Sequence, residues 1–151
     1  MRIAIGSDHA GFTLKEGLKE HLASLGHQVD DFGCPDETSV DYPDIARPVA
    51  EAVAGSRYDL GVLVCGNGVG MSIAANKVRG VRAALCHDPF SARRAREHTD
   101  ANVLCVGAWC IGQGLALEVL GAFLQGRFQG GRHARRVDKI QALDESRESV
   151  P

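Results

Sequence analysis

The sequence predicts an α/β protein: a single-domain, three-layer αβα sandwich around a five-stranded parallel, doubly wound sheet of Rossmann-like type. Three observations carry this. Short apolar runs bounded by glycines alternate with segments of helical period along the 151 residues. The strongest run is apolar throughout rather than alternating, as strands buried on both faces are. That run, Leu60 to Cys65, stops at a cysteine followed by glycines at alternate positions, Gly66, Gly68 and Gly70. A glycine turn of this kind joins a parallel strand to its crossover helix.

Each element follows in order. Ile3-Ala4-Ile5 is the first strand. Leu14, Leu18, Leu22 and Leu25 recur on one helical face, and Gly26 stands where a helix-ending glycine belongs. Gln28 to Phe32 is a weaker strand, and 33 to 41 a loop. Tyr42-Pro43 opens a helix, with Asp41 as its cap, that runs to Ala54 before Gly55. Beyond Cys65, Met71 to Lys77 is a short helix. Arg82 to Cys86 and Asn102 to Val106 are strands separated by a helix over 89–98. Helices over 114–124 and 132–147 complete the chain. Neither a repeat nor a low-complexity linker divides it, so one domain over 1–151 is expected, burying roughly two-thirds of its unfolded surface.

Composition excludes several function classes. The net charge is −2 and charged residues make up 24%, so there is no basic field for nucleic acid. Aromatics at 5% offer few stacking platforms for single strands. No apolar run approaches the roughly 20 residues of a membrane helix. Met1 to Gly6 enters a strand directly, so a signal peptide is not expected. The five cysteines, Cys34, Cys65, Cys86, Cys105 and Cys110, lack CxxC spacing. They read as reduced thiols of a cytoplasmic protein with no metal.

In doubly wound sheets ligands bind outside the carboxyl ends of the strands. Those ends carry Asp8-His9, Cys65-Gly66, Cys86-His87-Asp88 and Gly107-Ala108-Trp109. The glycine turn has three readings. A dinucleotide fingerprint fails at Met71, where the third glycine belongs, although Asp88 follows at about the right distance. A P-loop fails because no Gly-Lys-Ser/Thr follows. An oxyanion cradle for a small molecule remains, and a helix N-terminus favours the thiolate of a cysteine placed there. The other four cysteines read as fillers. His21, His27 and His87 read as surface residues, and Arg93, Arg94, Arg96, Arg135 and Arg147 as a solvated face. His133, beside Arg132, is left open between a site and a solvent-facing reading.

Several segments together resemble the family of type B ribose-5-phosphate isomerases and galactose-6-phosphate isomerases. They are Gly6-Ser7-Asp8-His9-Ala10-Gly11, Asp41-Tyr42-Pro43-Asp44, Cys65-Gly66-Asn67-Gly68-Val69-Gly70, Ser72-Ile73-Ala74-Ala75-Asn76-Lys77, Asp100-Ala101-Asn102-Val103-Leu104 and Gly130-Gly131-Arg132-His133. The resemblance implies cofactor-independent aldose–ketose isomerisation of a sugar phosphate through a 1,2-enediolate. It implies Cys65 as the proton-carrying base, with Asn67 in the same turn and Gly66, Gly68, Val69 and Gly70 around the enediolate. It implies His98 as the ring-opening residue, helped by Asp8, and His9, Arg132 and Arg136 on the phosphate. Tyr42, Thr99 and Trp109 then line the sugar. It implies a homodimer or homotetramer whose site lies between subunits, with the C-terminal helix at the interface.

Three positions depart from the family's usual pattern: Asn67 for threonine, Thr99 for asparagine and Trp109 for arginine. They leave the sugar open. Ribose 5-phosphate leads, followed by another tetrose, pentose or hexose phosphate. A non-catalytic anion- or nucleotide-binding domain is the reading from another class.

Overall fold

The computed structural model describes residues 1–146. Five parallel strands form one sheet in the order β2-β1-β3-β5-β4. They are β1 (Arg2–Ser7), β2 (Gln28–Asp31), β3 (Leu60–Cys65), β4 (Ala83–Leu85) and β5 (Val103–Gly107). The helices are α1 (Phe12–Ser24), α2 (Tyr42–Ala54), α3 (Val69–Ala75), α4 (Pro89–Thr99), α5 (Gln113–Gln125) and α6 (Arg132–Ser146). The predicted end of the last helix, Arg147, lies outside the described residues.

The sheet is apolar on both faces. Ile3, Ile5, Val62, Val64, Leu104 and Val106 point to the layer of α1, α4 and α5, whose Leu14, Leu18, Leu22, Ala92, Leu120 and Phe123 meet them. Ala4, Leu63, Cys65, Val103 and Cys105 point to α2 and α3, where Val49, Val53 and Met71 pack. Burial of this kind is worth about 25 cal/mol per Å2 of apolar surface.

Sequence order does not set strand order here. β5 lies between β3 and β4, its register running Gly61 against Val103 on one side and Ala83 against Val103 on the other. The reason is burial. All of β5 is buried, whereas β4 is three half-exposed residues suited to an edge. The chain winds one way from β1 to β2 and the other way from β1 to β3, so a switch point opens between the carboxyl ends of β1 and β3.

Local corrections are few. Leu25 does not share the face of Leu14, Leu18 and Leu22. The helix ends at Ser24, Gly26 turns the chain at φ +79°, and Leu25 is left exposed. Asp41 occupies the cap position of α2 without a side-chain capping bond. α3 starts at Val69 rather than Met71, so the last glycine of the turn is already helical. Arg96 is not on a solvated face: it bonds Asp100 and the Ala101 carbonyl and lies over the Phe123 ring.

Candidate active site

The cysteine–glycine turn sits at the switch point. Beside it is a cavity of about 220 Å3 lined by Asp8, His9, Tyr42, Cys65, Asn67 and Trp109, with glycines between them. A larger groove of about 670 Å3 between α2 and α3 is lined by Asp44, Arg47, Glu51 and Lys77, and contains neither thiol nor imidazole. Chemistry therefore points to the smaller cavity.

Cys65 ends β3, and its Sγ accepts a hydrogen bond from the Gly68 N–H at 3.1 Å. Two of the other three buried thiols, Cys86 and Cys105, are shifted by their surroundings. Burial, with a smaller contribution from Asp88, pushes Cys86 up to about 11, and burial pushes Cys105 up as well. Neither supplies thiolate near neutral pH.

Gly68 has φ +77°, and a Cβ there would fall 2.9 Å from the Val106 carbonyl carbon. Gly68→Ala is expected to lose about 1–2 kcal/mol from backbone strain alone, with more from that clash. Urea unfolding checks this; an unchanged midpoint would refute the strain argument. Gly66 and Gly70 make room for aromatic rings: Cβ atoms there would lie 2.6 Å from the Trp109 and Tyr42 rings.

The Val69 N–H donates to Asn67 Oδ1 at 3.0 Å. The donor is an N–H, so the acceptor must be the amide oxygen, which leaves the Asn67 NH2 as its remaining polar end. Two N–H groups of the turn are thus engaged locally, one on sulfur and one on Asn67. Asp8 is buried and accepts from the Gly11 N–H at 3.0 Å, capping the 3-10 turn His9–Gly11. His9 Nδ1 accepts from the Val40 N–H at 3.3 Å, so a neutral His9 carries its hydrogen on Nε2.

The remaining predicted residues lie elsewhere in the chain. α4 starts beside the carboxyl edge at Asp88 and runs back antiparallel to the strands. Its 11 residues span about 16 Å, which puts His98 near the opposite edge from Cys65. Thr99 follows, its hydroxyl on the Ala95 carbonyl, in a groove with Asn76, Arg82 and Ala101. α6 packs on α4 and brings exposed Arg132 and Arg136 to that end.

His133 does not face solvent. Its ring is buried and stacks on His98, with centroids 4.2 Å apart and planes 7° apart. Burial, then the neighbouring His98, Arg132, Arg136 and Arg94, holds its pKa below the ordinary histidine value. His87 is also no idle surface residue, since its Nε2 accepts the Gly107 N–H at 3.0 Å.

A thiol with a backbone donor on its sulfur, set among glycines at the switch point of a doubly wound sheet, is an arrangement that can carry a proton on a small polar ligand. The family model described as Ribose/Galactose Isomerase matches residues 3–140. The chain is 46% identical over 146 residues to ribose-5-phosphate isomerase B of Escherichia coli, covering 97% of this chain and 98% of that protein. It is 44% identical over 141 residues to D-erythrulose-4-phosphate isomerase of Pectobacterium atrosepticum, covering 93% of each. The structure of Clostridium thermocellum ribose-5-phosphate isomerase B aligns with TM-score 0.96 and 49% identity, over 97% of this chain and 99% of that one. This chain belongs to the ribose/galactose isomerase family.

Proposed function

We propose that the protein interconverts an aldose phosphate and its ketose, with ribose 5-phosphate and ribulose 5-phosphate as the leading pair. Cys65 carries the proton between C1 and C2 through a 1,2-enediolate. Gly66, Gly68, Val69 and Gly70 surround the enediolate, and the turn's backbone donors that Cys65 and Asn67 do not already engage hold its oxygens, each worth about 3 kcal/mol of barrier in comparable oxyanion sites. The Asn67 NH2 is the polar group this chain offers at the turn. Asp8 and Tyr42 meet the sugar, and His9 donates from Nε2 to the phosphate. The observation that carries this reading is Cys65 itself, at the switch point with the Gly68 N–H on its sulfur.

In this reading His98, Thr99, Arg132 and Arg136 reach the same cavity from a second copy of the chain, with α6 at the interface. Arg132 and Arg136, one helical turn apart, grip the phosphate together. Support comes from their separation from Cys65 within one chain, and from exposed Val69, Ile73, Leu85 and Phe90 near the turn. The assembly is a homodimer, or a homotetramer of two such dimers. The five unpaired cysteines suit a reducing, cytoplasmic setting. A second reading takes a four-carbon aldose phosphate, favoured by the bulk of Trp109 and by the similarity to the Pectobacterium enzyme.

Subunit mixing tests the shared site. Cys65→Ala and His98→Asn are each expected to be inactive. Randomly mixed dimers should regain about one quarter of the activity, because half are heterodimers with one intact site each. Heterodimers that form yet stay inactive would place the whole site in one chain.

A further inference from the structure

The indole of Trp109 stands between two cavities. On one side is the site with Cys65, Asp8 and His9, about 220 Å3. On the other is a cavity of about 250 Å3 whose polar lining comes from Thr13 and Gln113. Trp109 and Ala10 wall both. A methyl group is too small to divide them, so the indole is the partition.

The partition is anchored at its backbone and loose at its ring. The Trp109 N–H donates to the Gly66 carbonyl at 2.8 Å, and the ring lies against Gly66. The side chain is otherwise 78% exposed. Rotation or removal of the indole would join the two spaces.

Resting on the isomerase reading of the site, we propose that Trp109 sets the upper limit of substrate chain length. With the indole in place the site admits four- and five-carbon aldose phosphates. Without it, the site runs on into the second cavity, where the Thr13 hydroxyl and the Gln113 amide meet the hydroxyls of a longer chain. Thr13 Oγ1 already donates to Glu37 at 3.3 Å and keeps lone pairs to accept.

The test is a kinetic panel of erythrose 4-phosphate, ribose 5-phosphate and allose 6-phosphate, which extends the ribo configuration by one carbon. Trp109→Ala should raise the six-carbon to five-carbon ratio of kcat/KM by roughly ten-fold or more, as pocket discrimination over one carbon does, chiefly through KM. Adding Gln113→Leu should take back much of that gain. An unchanged ratio in a variant still active on ribose 5-phosphate overturns the partition. A wild-type protein that exchanges no solvent deuterium into any of the three sugars overturns the isomerase reading instead. Trp109 is also the 1 tryptophan of the chain, so emission of the wild-type protein reports on this ring alone. Ribose 5-phosphate should shift or quench it; unchanged emission at saturation removes the indole from the sugar's path.

Discussion

Cys65→Ala is expected to lower kcat by about three orders of magnitude, within the range a positioned general base supplies. Substitution removes the one thiol that faces the cavity of Asp8, His9 and Asn67. No neighbour can take over. Cys86 and Cys105 are pushed up by burial and line neither this cavity nor its rim. The Gly68 N–H loses its acceptor as well, so the turn relaxes around an absent sulfur. Cys65→Ser keeps the shape but offers a hydroxyl that ionises far less readily, and should be nearly as slow. Incorporation of solvent deuterium at C1 or C2 should fall in parallel with turnover. A Cys65→Ala protein that keeps a tenth of wild-type activity would remove Cys65 from the role of base.

Lys15→Met is expected to cost about 3 kcal/mol of stability, the scale on which a broken buried ion pair destabilises. Lys15 is fully buried in α1. Its Nζ reaches Asp31 at 3.0 and 2.8 Å, the Cys34 carbonyl at 2.7 Å and Glu16 at 3.1 Å. Removal strips the Cys34 carbonyl of its donor and leaves Asp31 with Lys19 and the Gly33 N–H. The strap matters beyond stability, because it holds the start of the loop that leads to Val40, the residue whose N–H orients His9.

The pH dependence of that loss has a definite sign. Burial alone would raise the Asp31 pKa, but hydrogen bonds from Lys15, Lys19 and Gly33 outweigh it and hold the carboxyl below its ordinary 3.8. A depressed native pKa adds stability that is complete above the unfolded value and is lost as pH falls through the native one. Urea midpoints should therefore differ most between wild type and Lys15→Met near neutrality, and converge below about pH 4. A gap under about 1 kcal/mol at pH 7 would mean that the pair contributes no more than an exposed one.

Short-range features were readable along the chain because they depend on neighbouring residues. The apolar run from Leu60, the glycines after Cys65 and Pro43 at the head of α2 each dictate backbone conformation within a few positions. Even Lys15 left a trace, since helical spacing puts it on the same face as Leu18 and Leu22. Other features have no local signature. The placement of β5 between β3 and β4 follows from which strand is apolar enough to sit inside the sheet. The stacking of His133 on His98 joins two helices more than thirty positions apart. Asn67 shows the boundary within a single residue. Its place beside the thiol could be read from the sequence. That its carbonyl is taken by Val69, leaving only the NH2, is a matter of geometry. Chain order thus settled which groups flank Cys65, because covalent neighbours cannot be separated. Packing settled which of the distant groups meet, because burial and hydrogen bonding act between elements that the chain itself keeps apart.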